Sequence, residues 1–397
     1  MELTPRQFRR LRRRWEVVGD AAVVHGGRGC VSNRRLDERL RQRALNLARD
    51  PLYEDFGPTL LAEHLERGAP GGKVHASTVR LWLIEAGLWE VDRQRPRHRR
   101  KRPRRNARGE LVLMDSSEHD WLEGRGADEL SLVAMIDDAT SELFAVFYPR
   151  DTGLANRQVL ARYLVQNGRM GALYVDRASH FGNWRRSSGG KKASEDAEPL
   201  MVNSVIRRGL AELEVELILA LSPQAKGRVE RLFGTLQDRL IKEMRIAGIS
   251  SLEGANRFLK TVFLPFWKER FTVPPAAAQD AHRPLPGGID VNVLFAETET
   301  RLLRADFTIQ YHSQLWQIEA GEGQDLRPGR KITIERRLDG SVHYRCGDNY
   351  LRVARFAPPP PALPPPPAPR PARARPPAPA SHPWRRLVVI REAPSSS

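Results

Sequence analysis

Three short apolar runs constrain this chain more than any other feature. They are Leu111 to Asp115 (LVLMD), Leu130 to Asp137 (LSLVAMID) and Leu143 to Tyr148 (LFAVFY). Runs of this length, bounded by turn residues, read as β-strands. Asp138-Ala139-Thr140-Ser141 lies between the second and third and predicts a hairpin turn. A helix is expected over about 155–169, a strand over Ala172 to Val175, a helix over 201–213 and a fifth strand over Glu216 to Leu221. Val229 to Arg245 then reads as a long amphipathic helix, with Val229, Leu232, Phe233, Leu236 and Leu240 on its apolar face. The order β-β-β-α-β-α-β-α predicts an α/β domain. Three antiparallel strands followed by αβ crossovers give a mixed five-stranded sheet covered by helices. Arg185 to Glu198 has no apolar periodicity and reads as a flexible insertion.

The flanks have a different texture. Residues 4–17 predict a basic helix with Phe8, Leu11 and Trp15 along one side, and residues 35–49 predict a second helix. Residues 53–92 read as a helix-turn-helix unit. Thr59 to Arg67 and residues 76–86 supply its helices, and Gly68 to Gly72 the turn. Its second helix carries Ser77, Thr78 and Arg80 away from Val79, Leu83 and Ala86, so it is the candidate for a DNA major groove. Pro96 to Arg105 is almost purely basic and reads as a linker. Its Arg99, Arg100, Lys101 and Arg102 suit contacts to phosphates. Beyond the core, residues 300–356 hold short β-like runs with Gly and Asp between them, a candidate small β-barrel. Residues 357–397 are rich in Pro and Arg and are expected to be disordered. The expected division is 1–50, 51–95, 96–110, 111–272, 273–356 and 357–397.

Charge follows the same division. The 397-residue chain has a formal net charge of +17, and residues 1–110 hold 26 Lys/Arg against 14 Asp/Glu. Residues 357–397 add six Arg against one Glu, which leaves the central body neutral. Basic arms on a neutral body suit a polyanion partner, with nucleic acid the usual one. The two cysteines, Cys30 and Cys346, cannot build a disulfide framework or a Cys-rich zinc site. There is no apolar run of membrane-span length and no signal peptide, so a cytoplasmic protein, nucleoid-associated when on DNA, is expected.

Several acids stand where chemistry could use them. Asp115 closes the first expected strand, Asp176 follows the fourth, and Glu230 opens the long helix. Carboxylates crowded at one sheet edge repel one another, and divalent cations relieve that repulsion. Position alone leaves Asp137 and Asp138 as rivals, because both also close a strand.

Motifs narrow the choice. Ser222-Pro223-Gln224-Ala225-Lys226-Gly227-Arg228-Val229-Glu230-Arg231, then Leu232-Phe233-Gly234-Thr235-Leu236, resembles the last motif of integrase-type transposases. Tyr174-Val175-Asp176-Arg177 with Phe181 resembles the second-acid segment. Leu113-Met114-Asp115 with His119-Asp120-Trp121 resembles the first. With Phe56-Gly57-Pro58-Thr59 and Trp82 to Trp89, residues 24–356 resemble the ISNCY-type insertion-sequence transposases. The resemblance implies an RNase H-like core and assigns Asp115, Asp176 and Glu230 as catalytic acids that also ligate metal. That metal is magnesium, as two ions, with manganese as the alternative. It leaves Asp137 and Asp138 to shape the hairpin. It also implies binding of terminal inverted repeats and target DNA by a dimer or larger homo-oligomer.

The chain departs from the family at its start. Members begin with a complete helix-turn-helix, whereas this sequence begins near its recognition helix at Thr4-Pro5-Arg6-Gln7, a truncated arm. The cap of the second recognition helix is His75, weaker than Ser or Thr. Lys226 and Arg228 flank Glu230 and are candidates for DNA phosphates. The expected activity is metal-dependent phosphodiester hydrolysis followed by strand transfer. The alternatives are a decayed, non-enzymatic DNA-binding protein and a nuclease on the same fold.

Overall fold

The computed structural model describes residues 3–24, 36–68, 73–90, 103–126, 129–175, 205–219, 227–319, 326–356 and 379–383. Four helices come first: α1 (Pro5–Val18), α2 (Glu38–Arg49), α3 (Pro58–Gly68) and α4 (Ala76–Glu85). Thr4 caps α1 in a capping box with Gln7, and no residue of α1 is buried. Helices α2, α3 and α4 share a small core built on Ala44, Leu60, Leu61, Leu65, Val79 and Leu83.

The central sheet follows with β1 (Leu111–His119), β2 (Leu130–Asp137), β3 (Leu143–Tyr148), α5 (Gly153–Asn167), β4 (Ala172–Val175), α6 (Val205–Glu212), β5 (Glu216–Leu219) and α7 (Gly227–Ile246). Strand order is β3-β2-β1-β4-β5. β1 is antiparallel to β2 and parallel to β4, and β4 is parallel to β5. This is the mixed five-stranded sheet that the element order predicts. β1 runs four residues past the apolar stretch, because Ser116 to His119 still pair with β2.

Alternation along the strands divides the core in two. Leu111, Leu113, Ala172 and Tyr174 pack with Val229, Leu232, Leu236 and Leu240 of α7. Val112, Met114, Leu173 and Val175 pack on the other face with Val159, Leu160 and Leu164 of α5 and with Ile206 and Leu210 of α6. After α7, α8 (Leu252–Phe258) and α9 (Leu264–Phe271) flank a π-turn at Leu259–Phe263 and bury Phe263 and Trp267 against the α7 face.

The last elements are α10 (Val291–Leu294), β6 (Glu297–Leu302), β7 (Thr308–Tyr311), β8 (Gln314–Ile318), β9 (Lys331–Arg336), β10 (Val342–Cys346), β11 (Asn349–Leu351) and β12 (Val353–Phe356). Here the barrel expectation is corrected. The strands form two open sheets, β11-β10-β9-β6 and β12-β8-β7, with no closed ring among the described residues. The stretch Leu351 to Phe356, expected as one strand, breaks at Arg352, so that β11 pairs with β10 and β12 pairs with β8. The chain divides into two compact units, Met1–Glu299 with Ile334–His343, and Thr300–Thr333 with Tyr344–Ser397.

Helix α5 must stop sharply to feed β4. Its cap, Gly168, has φ +88°, and an added Cβ would sit 2.5 Å from the Arg283 carbonyl oxygen. Both the left-handed torsion and the backbone contact exclude a side chain. Gly168→Ala is expected to destabilise the protein by about 2 kcal/mol. Chemical denaturation checks this, and an unchanged midpoint would show that the helix stop does not need glycine.

Candidate active site and nucleic-acid interface

Asp115 continues the series Leu111, Leu113 on the α7 side of β1. Its carboxylate Oδ1 accepts a hydrogen bond from the Ser116 backbone N–H at 2.9 Å. Glu230 lies in the first turn of α7, exposed, and makes no hydrogen bond or ion pair among the described residues. Two contacts fix how α7 lies along β1. Arg228 Nη1 donates to the Asp138 carbonyl at 2.7 Å, near the start of β1, and Gln237 Nε2 donates to Ser117 Oγ at 3.2 Å, near its end. Helix and strand therefore run the same way. Asp115 on the strand and Glu230 on the helix both lie between these two contacts.

Asp137 and Asp138 have a different environment. Both are buried, at 3% and 1% exposure. Asp137 accepts from the Gly109 N–H at 2.7 Å and from both the N–H and the hydroxyl of Thr140 at 2.8 Å. Asp138 accepts from the Arg105 N–H at 2.8 Å and from the Arg228 guanidinium. Their lone pairs hold the β2–β3 turn and the entry to β1, so both serve the hairpin. Arg228, expected near phosphate, has Nη1 engaged by Asp138.

Asp176, Lys226, Arg99, Arg100, Lys101 and Arg102 lie outside the described residues. Among the described residues no group of three or more His, Cys, Asp and Glu side chains could hold a metal ion. Asp115 and Glu230 carry hard oxygen donors of the kind magnesium takes, and Glu230 has no internal partner among the described residues.

In the helix-turn-helix, α3 and α4 pack through Leu61, Leu65, Val79 and Leu83. His75 caps α4 as the sequence indicates, with Nδ1 accepting from the Ser77 N–H at 3.3 Å. The Ser77 hydroxyl lies 2.7 Å from the same nitrogen. Ser77 and Arg80 are exposed and Thr78 is half-buried. The three expected groove residues therefore lie at the outer side of α4.

A putative transposase, y4bF, of Sinorhizobium fredii is 37% identical over 366 residues, covering 89% of this chain and 77% of that protein. The chain belongs to the insertion-sequence transposases. The transposase for insertion sequence IS1202 of Streptococcus pneumoniae is 24% identical over 387 residues, 88% of this chain and 79% of its own length. No family model matches. Among solved structures, a chain of the simian T-cell lymphotropic virus intasome in complex with PP2A regulatory subunit B56 gamma covers 79% of the transposase and 99% of itself. The TM-score is 0.33 and the identity 13%. An overlap this loose carries no weight, and the fold rests on the strand order above. Among the transposase's described residues, no helix is long and apolar enough to cross a membrane.

Sequence reading missed how the transposase joins α3 to α7. Arg239 of α7 grips Glu63 of α3 through two bonds of 2.6 and 3.0 Å, and Arg270 approaches the same carboxylate at 3.4 Å. Glu243 accepts from Arg67 at 2.9 and 3.0 Å and meets His64 Nε2 at 3.1 Å. Lys242 donates to the Asp55 carbonyl at 2.7 Å and lies over the Phe56 ring. Arg245 pairs with Asp55 at 2.7 Å. The available signal was the charge at Arg239 and Lys242, two positions beside the apolar stripe of α7 that turn out to be buried. Buried ions at an element surface need partners.

Burial pushes the Glu243 carboxyl up, but hydrogen bonds and charge from His64 and Arg67 outweigh it and hold the group below its usual 4.5. A depressed folded value stabilises above the unfolded value and stops doing so as pH falls through the folded one. Wild type should therefore melt above Glu243→Gln at pH 7. The gap should close as pH drops below about 4.5, the ordinary glutamate range. Thermal melts from pH 7 to pH 3 test this, and a gap that persists unchanged at pH 3 contradicts it.

Proposed function

We propose that this transposase cuts and joins DNA with Asp115, Asp176 and Glu230 as a metal-holding triad. The observation that carries the reading is the contrast between two pairs of acids. Asp137 and Asp138 are buried and hydrogen-bonded within the hairpin, whereas Asp115 is half-buried on β1 and Glu230 is exposed in the first turn of α7. The register of the parallel pair supports the third member. β1 meets β4 at Leu113 and Tyr174, two positions before Asp115 and close to the end of β4 at Val175. The final motif around Glu230 supports the same assignment.

Magnesium or manganese, as two ions held by these carboxylates, would activate the attacking oxygen and stabilise the leaving one. The protein's part is to orient the phosphodiester and to keep its carboxylates ionised. In the first step water adds to the phosphorus at the transposon end and the 3′-oxygen leaves as a free hydroxyl. In the second, that 3′-hydroxyl adds to a target phosphorus and the target's own 3′-oxygen leaves. No covalent protein–DNA intermediate is required. In this reading α4 offers Ser77, Thr78 and Arg80 to the terminal inverted repeat. Arg99, Arg100, Lys101, Arg102 and Lys226 contact phosphates. Arg228 joins them only through the part of its guanidinium not taken by Asp138. Joining two ends to one target calls for a dimer or larger assembly.

The test is incubation with labelled terminal-repeat DNA, a target plasmid and magnesium. Joined products are expected, and they should disappear when the metal is chelated. Cleavage without joining would identify a nuclease. Shifted but intact DNA would identify a DNA-binding protein. Either result overturns the proposal.

A further inference from the structure

Strand β1 sends alternate side chains to opposite faces, so Asp115 and Ser116 point into different halves of the core. On the α5 side, Ser116 Oγ donates to Asp151 Oδ2 at 2.6 Å. The other Asp151 oxygen accepts from Asn156 Nδ2 at 2.7 Å. Asn156 is buried at 1% exposure, and the same nitrogen donates to the Thr152 carbonyl at 3.0 Å. Thr152 in turn caps α5 by accepting from the Ala155 N–H at 3.1 Å. The Asp151 N–H donates to Glu118 Oε1 at 3.3 Å, which ties the same loop to β1 a second time. The chain of bonds ends on the site itself, because the Ser116 N–H donates to Asp115 Oδ1 at 2.9 Å.

We infer that Asp151 is a positioning residue for Asp115, acting through Ser116. This rests on the catalytic reading of Asp115. Asp151 lies across the sheet from the α7 face, so it serves the site from behind. A carboxylate bonded to the N–H of the next residue keeps that geometry only while the strand torsions at that peptide are held. Asp151 holds them by gripping the Ser116 side chain, and α5 holds Asp151 through Asn156. Partners of this kind around a metal ligand typically change metal affinity or activity by about 10- to 100-fold when removed.

The test compares Asp151→Ala, Asp151→Asn, Ser116→Ala and Asp115→Asn in the full chain. Two quantities are read: the magnesium concentration that half-saturates cleavage of terminal-repeat DNA, and hydrogen exchange at the Ser116 amide in metal-free protein. Asp151→Ala and Ser116→Ala should each raise the magnesium requirement about 10-fold and accelerate Ser116 exchange. Together they should do little more than either alone, as members of one chain of bonds do. Asp151→Asn keeps an acceptor for Ser116 and should restore both readouts toward wild type. If Asp115→Asn abolishes cleavage while Asp151→Ala keeps the wild-type magnesium requirement and exchange, the positioning role is overturned and the catalytic reading stands. If Asp115→Asn cleaves like wild type, the catalytic reading fails and the positioning role fails with it.

Discussion

Helix α7 is packed on one face of the central sheet, and most of what this molecule can do depends on that contact. Val229, Leu232, Leu236 and Leu240 cover Leu111, Leu113, Ala172 and Tyr174 and exclude water from that side. Apolar burial alone would let the helix slide, and polar contacts fix its register. Arg228 holds the first turn to Asp138, and Gln237 holds the third to Ser117. Glu230 sits between those two anchors. The far half of the same helix carries Arg239, Lys242, Glu243 and Arg245, which hold α3 and the turn before it. One rigid element thus bears a candidate catalytic acid at one end and holds α3 at the other, at a separation set by the helix rise of about 1.5 Å per residue.

The acids of the core show how one residue type is assigned different work by its surroundings. Asp137 and Asp138 are taken out of water and compensated by backbone N–H groups, a hydroxyl and Arg228. A carboxylate filled in this way is a strut. Glu230 has no such partner among the described residues, and Asp115 takes one from its neighbour. Asp151 stands between these cases, since it is bonded on the α5 face yet reaches the site through one peptide.

Much of the sheet was legible because its signals are local. LSLVAMID and LFAVFY became β2 and β3 with the expected ends, since continuous apolar runs bounded by turn residues admit few alternatives. The end of β1 was not legible. Ser116 to His119 belong to the strand only because β2 pairs with them. β6 was missed for a related reason: ETETRL is nearly all polar and exposed. The barrel expectation failed because strand runs do not reveal their partners, as the split of one run at Arg352 between two sheets illustrates. Of the candidate site, the motif singled out Glu230, while the structural role of Asp137 and Asp138 needed the three-dimensional hydrogen bonds. The α3–α7 ion pairs join residues about 180 positions apart, and no local pattern announces them.

The central claim is that chemistry and scaffolding are divided between the two pairs of acids. Cleavage of terminal-repeat DNA and the melting temperature, measured together for Asp115→Asn, Glu230→Gln, Asp137→Ala and Asp138→Ala, test it most directly. The first two should lose cleavage by orders of magnitude and melt within about 2 °C of wild type. The last two should melt several degrees lower, because each strands buried donors at about 1–3 kcal/mol apiece. Full cleavage by Asp115→Asn or Glu230→Gln, or wild-type melting of Asp137→Ala and Asp138→Ala, would contradict the account.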